Sequence, residues 1–177
     1  LTNDQATDFR VMTAPIDQPG QWTELVPHVA GRRITSVEAF AEHVVVHEWA
    51  DAQPRLRVLF RDGSQRTVHG ADEPHDLELE SNPEFHASTV RYVVQSLTRP
   101  VTVYEEDVRT GERTVLKQTP VPSVDLTQYA SERLWATAAD GTKVPVDVVY
   151  RTGTAADGSA PLMVYGYGSY ESSMPPW

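Results

Sequence analysis

"HVVVHE" at 43–48 and "VRYVVQ" at 90–95 begin 47 positions apart. Both are short runs of β-branched and aromatic residues, the composition of strands. Two further pairs share the spacing: "FRVM" at 9–12 with "LRVL" at 56–59, and "QRTV" at 65–68 with "ERTV" at 112–115. A period in the forties is that of a four-stranded propeller blade, a unit that buries its apolar faces only by stacking on neighbours. The spacing therefore predicts blades at 34–69 and 76–118, and the outer half of a preceding blade at 7–28. An ordinary β-sandwich with coincidental matches is the competing architecture.

The rest of this region agrees with a mainly β fold. Strand-like runs "RVLF" at 57–60 and "VTVY" at 101–104 are bounded by turn clusters, "DG" at 62–63, "SNPE" at 81–84 and "RTG" at 109–111. No amphipathic pattern of helical length interrupts them. The character changes at "PVPSVDLTQ", 120–128, where two prolines and polar residues suit a connection between domains. The expected division is a propeller part at 1–122, a linker at 123–130 and a second domain from 131 to 177.

The second domain opens with a hairpin. "SERLWATA" at 131–138 leads to "DG" at 140–141, a tight-turn signal, and "TKVPVDVVY" at 142–150 returns. Pro145 cannot donate to a ladder, which places that strand at an edge or a bulge. "PLMVYG" at 161–166 is a continuous apolar run, expected to be a strand buried on both faces of a mixed or parallel sheet. Three strands without covering helices cannot bury such a strand. With Leu1 and Trp177 at its ends, the chain is expected to be a cut from a longer protein.

Composition narrows the partners. The formal net charge is −10 and no basic face is visible, which argues against nucleic acid. No apolar run approaches the roughly 20 residues that cross a bilayer, so no membrane partner is expected. The chain has no cysteine, hence no disulfide or thiolate chemistry, and a reducing, cytoplasmic location is expected. His43 and His47 could suggest a metal pair, but the valines between them favour a strand. Residues four apart on a strand are separated by ~13 Å, too far for one ion. His28, His69, His75 and His86 are read as surface residues of turns. Asp72, Glu73, Asp76, Glu78 and Glu80 are read as a solvated acidic face, since the oxygen-ligand pattern of a calcium loop is missing. No metal and no cofactor are expected.

No G-x-S-x-G elbow is present: Tyr170 and Glu171 follow Ser169, and Ala160 and Pro161 follow Ser159. What remains is Gly166-Tyr167-Gly168 after an apolar run. Glycines there would let the backbone turn and approach a ligand, and a tyrosine would offer a phenolic O–H to a developing negative charge. Tyrosines packed as core in a glycine-rich turn fit the residues equally well.

"LWATAADGTKVPVDVVYR" at 134–151 followed by "PLMVYGYGSY" at 161–170 resembles the prolyl oligopeptidase family of serine peptidases. Within it the chain is most similar to the oligopeptidase B branch, which cleaves peptides after basic residues. "LTNDQATDFRVMTAPI", "NPEFHASTVRYVVQSLTRPVTVYEED" and "TGERTVLKQTPVP" look like the same branch's propeller. The resemblance implies the last two to three blades of a seven-bladed propeller, followed by the first strands of an α/β-hydrolase domain. The propeller would cover the active site and admit short peptides only. Tyr167 would donate to the oxyanion of the tetrahedral intermediate, an interaction typically worth about 3 kcal/mol. Tyr170 would line the pocket for the side chain preceding the cut, and Glu171 would be an acidic contact for a basic substrate. The chain departs from the branch in one respect: the pair of acids that follows this loop in bacterial relatives is replaced by a stretch ending in Pro175, Pro176 and Trp177. The implied partners are short peptides carrying basic residues. The chain is expected to lack the Ser-Asp-His triad, to be inactive alone and to self-associate through exposed sheet edges. The competing function is a non-catalytic, propeller-derived module that binds peptides or proteins.

Overall fold

The structure, a computed structural model, describes residues 1–170 and 172–177. Strands β1 (Val11–Thr13) and β2 (Thr23–Val26) form an antiparallel pair. Strands β3 (Arg32–Ala39), β4 (His43–Ala50), β5 (Gln53–Phe60) and β6 (Gln65–Val68) form a four-stranded meander in chain order. Strands β7 (Asp76–Leu79), β8 (Thr89–Ser96), β9 (Arg99–Asp107) and β10 (Arg113–Gln118) form a second one. A separate hairpin pairs β11 (Tyr129–Thr137) with β12 (Lys143–Arg151). Among the described residues the only helical element is a single 3₁₀ turn, Leu126–Gln128, so no helix is long and apolar enough to cross a membrane.

The 47-residue spacing maps onto this topology strand by strand. "HVVVHE" and "VRYVVQ" lie on β4 and β8, each the second strand of its sheet. "QRTV" and "ERTV" lie on the fourth strands, β6 and β10. "LRVL" lies on β5, a third strand, and its partner "FRVM" runs into β1, which with β2 stands in the place of the outer half of a blade. Side chains alternate between the faces of a strand, so successive residues serve different neighbours. Val45 joins the cluster between the two meanders, while Val46 joins the cluster shared with Val11 and Val26 of the β1–β2 pair. Stacked antiparallel sheets of this kind are part of a β-propeller.

The larger cluster carries most of the fold. Val45, Leu56 and Val58 from one sheet meet Leu77, Val90 and Tyr92 from the next, all fully buried. Polar clamps close its rim. Arg66 on β6 donates to the buried carboxylate of Glu106 on β9, which also accepts the Tyr92 hydroxyl at 2.5 Å. Burial first, and the Glu106 carboxylate second, push the Tyr92 phenol up. Arg109 lies 3.9 Å from the ring centroid of Phe60 and reaches Asp62, its counterpart one blade back, at 3.3 Å. Gly111 has φ +79, so the turn that follows β9 needs glycine for its backbone conformation, and a Cβ there would also displace the Arg66 guanidinium, 2.5 Å away.

Three expectations are corrected. Residues 161–166 form no strand: Leu162, Met163 and Val164 are 80%, 87% and 84% exposed. A strand requires a neighbouring strand to satisfy its backbone, and β11 and β12 pair only with each other among the described residues. His75 is buried rather than a surface residue, its Nδ1 2.8 Å from the Glu73 carbonyl oxygen. The acidic set is not uniformly solvated, because Asp76 is buried and Glu73 accepts from Arg99 at 2.8 Å. The hairpin loop also differs in detail. Thr137 pairs with Lys143 and Ala138 N–H donates to the Thr142 carbonyl, leaving a three-residue loop with Gly141 at φ +89.

Leu56→Ala removes a fully buried side chain from the larger cluster. It is expected to cost about 2–5 kcal/mol, read as a lower urea midpoint. His43 and His47 are also buried, and burial holds both below the ordinary imidazole value of 6.5, against the opposing pull of nearby carboxylates. The unfolded chain therefore takes up protons that the folded chain refuses. Stability should be full above pH ~6.5 and fall as the pH drops below it. A histidine titration by NMR showing both rings at or above 6.5 would contradict this.

Candidate functional site

The segment that follows β12 places Tyr167 and Tyr170 in the open. They are 53% and 95% exposed, and no hydrogen bond reaches either hydroxyl among the described residues. Tyr170 adopts φ +56, a left-handed conformation that a bulky residue rarely takes. Gly166 and Gly168 have φ outside the left-handed region, and a Cβ built on either meets nothing within 4 Å. The glycine requirement expected from a sharp turn is thus not imposed by this conformation. Glu171 lies outside the described residues. Ser172 N–H donates to the Ser169 carbonyl at 3.0 Å. Among the described residues, no hydrogen bond or ion pair joins Tyr167 or Tyr170 to an acid, a base or a nucleophile.

The histidines do not converge either. His43 faces Phe60 across β4–β5, and His47 faces Leu56. His43 stacks on Phe40 with centroids 4.4 Å apart. His47 Nδ1 lies 3.0 Å from the Thr35 hydroxyl and 3.6 Å from the Glu78 carboxylate on the neighbouring sheet. Burial, with Asp76 nearby, pushes the Glu78 carboxyl up. No cluster of three metal-ligating side chains occurs among the described residues.

The better-built constellation is one the sequence did not advertise. Arg133 on β11 stands opposite Asp147 on β12 and makes a two-pronged pair, Nε to Oδ1 at 2.7 Å and Nη2 to Oδ2 at 2.8 Å. Its remaining nitrogen, Nη1, donates to the backbone carbonyls of Asp51 and Ala52 in the β4–β5 turn. Two residues earlier on the same face of β11, the Ser131 hydroxyl lies 3.4 Å from that of Thr98 in the β8–β9 turn. A cleft of about 540 Å³ opens beside this second contact, lined in part by Glu73, Arg99, Gln118 and Tyr129. Equal distances from the hairpin loop would have paired Arg133 with Asp147, had the loop been read as three residues long.

Residues 1–119, the stacked sheets, match the family model described as the prolyl oligopeptidase N-terminal beta-propeller domain. The chain belongs to the prolyl oligopeptidase family. Among its relatives in that family, the dipeptidyl aminopeptidase BI of Pseudoxanthomonas mexicana is 43% identical over 98% of this chain and 24% of its own length. Protease 2 of Moraxella lacunata is 28% identical over 99% of this chain and 26% of its own length. Of solved structures, oligopeptidase B from Trypanosoma brucei aligns over 98% of this chain and 26% of its own, with TM-score 0.87 and 32% identity. Oligopeptidase B from Leishmania major aligns over the same shares, with TM-score 0.89 and 28% identity. The chain therefore spans about a quarter of the length of these relatives.

The exposed 161–168 segment has no backbone ladder, so its amides should exchange with solvent at rates near those of an unfolded chain, while Val90, Tyr92 and Val94 stay protected. Exchange followed by mass spectrometry distinguishes this from a segment held in a sheet, which would be slow through residues 162–166.

Proposed function

We propose that this chain is part of a serine endopeptidase of the oligopeptidase B type that hydrolyses short peptides after Arg or Lys. Its blades form part of the gate that keeps folded proteins from the active site. The hairpin and the segment after it are the start of the α/β-hydrolase domain. Tyr167 donates its hydroxyl to the oxyanion, Tyr170 lines the pocket for the side chain preceding the cut, and Glu171 is an acidic contact for a basic substrate. Serine attacks the carbonyl, histidine takes its proton and aspartate orients the histidine, all three supplied from outside this chain. The chain by itself is inactive and self-associates through its exposed strand edges and apolar faces.

The supporting observation is that similarity to peptidases of this family extends past the propeller: the 43% identity holds over 98% of the chain, hairpin and tyrosine segment included. Exposure of Tyr167 suits the role, because an oxyanion donor must face the substrate rather than the core. The name of that same relative favours a second reading, in which the parent enzyme releases dipeptides from a free amino terminus.

The test compares this chain with a longer protein that carries it together with the catalytic serine. Chromogenic peptides ending in Arg are offered with a free or an acylated amino terminus. The endopeptidase reading expects turnover of both, and the dipeptide-releasing reading expects loss of the acylated one. Tyr167→Phe should lower kcat by roughly 10²–10³, as for other single oxyanion donors, with little change in KM. Specific turnover by the 177-residue chain alone would overturn the assignment.

A further inference from the structure

The β11–β12 hairpin rests on the propeller through polar groups, although it has apolar side chains to offer. Leu134, Trp135, Val144 and Val146 remain substantially exposed, whereas the Arg133 and Asp147 side chains are only 10% and 15% exposed. Arg133 uses its planar fork in two directions. One edge holds Asp147 on its own hairpin, and Nη1 reaches the Asp51 and Ala52 carbonyls of the blade. A guanidinium can do this because its five N–H donors are fixed in one plane; an ammonium cannot serve both partners in that geometry.

The receiving turn is shaped for the purpose. Asp51 and Ala52 both lie in the left-handed region, φ +52 and +55, as a two-residue turn between β4 and β5 demands. Neither is glycine. Thr98, which meets Ser131, lies in the equivalent turn of the next sheet, 47 positions after Asp51. Alternate residues on one face of β11 thus contact equivalent turns of two successive blades.

We infer that Arg133, held by Asp147, is a polar latch that fixes the hairpin in one orientation across the ends of the two blades, and with it the start of the segment that carries Tyr167. It is a positioning residue. This goes beyond the catalytic reading above and stands independently of whether Tyr167 serves an oxyanion. Charge-assisted bonds to carbonyls are directional and can be exchanged for water, so such a contact sets orientation without the permanence of an apolar seam.

The chain has no cysteine, so two introduced thiols carry nitroxide labels uniquely. Glu112→Cys on the far turn of the second blade and Ala139→Cys at the hairpin tip report the orientation by pulsed dipolar spectroscopy of the 177-residue chain, the labelled chain being diluted into a large excess of unlabelled chain so that pairs between copies do not contribute. A single narrow distance distribution is expected for the labelled parent. Arg133→Ala should broaden it at least twofold. Arg133→Lys, which keeps the cation and its pairing with Asp147 within the hairpin, should broaden it as much. Ala52→Gly, which keeps both carbonyls, should leave it narrow. A narrow distribution in Arg133→Lys overturns the proposal whatever Arg133→Ala does, and so does a broad distribution in the parent.

Discussion

Val45, Leu56 and Val58 of one sheet meet Leu77, Val90 and Tyr92 of the next, each fully withdrawn from water. Each four-stranded meander is too thin to bury its own apolar face, and only contact with a neighbour supplies that burial. The constraint explains why β4 is apolar on both faces, Val45 serving one neighbour and Val46 the other. It also explains the rim. Glu106 is buried beside the apolar layer, a costly place for a carboxylate unless it is paired, and Arg66 and Tyr92 both bond to it. The Arg66 bond crosses from β6 to the next sheet and fixes how the blades are turned against each other, while Tyr92 holds the carboxylate from within its own sheet.

The contact between hairpin and blades is of a different kind. Stacked blades are joined by an apolar layer whose separation would expose a large area to water, so they behave as one unit. The hairpin instead touches the turns that connect second to third strands, through polar groups of those turns. Arg133 donates to backbone carbonyls of one such turn, and the Ser131 hydroxyl meets the Thr98 hydroxyl of the next, either of which can donate.

Much of the fold could be read along the chain. The 47-residue spacing marked equivalent strands because each blade repeats the same alternation of buried and exposed positions. The run at 161–166 misled for an instructive reason. Hydrophobicity says that a segment is suited to burial, while a strand also needs a neighbour with free backbone groups, and that neighbour is not encoded in the segment. His75 was misplaced because the turn that holds it packs back under Gly70, whose missing Cβ makes room for the ring.

Tyr167 and Tyr170 were found through similarity to a family, and the structure leaves both exposed. Arg133 and Asp147 were passed over because nothing in "SERLWATA" or "VPVDVV" distinguishes a docking pair from two ordinary surface charges. The sequence by itself determined the strand repeat, the turns and the mainly β class, since these follow from local periodicity and backbone preference. Only the tertiary structure decided which face of β11 meets the blades, which turn receives Arg133, and which acids are buried. Those depend on register and on the packing of residues as many as 82 positions apart, which no local pattern records.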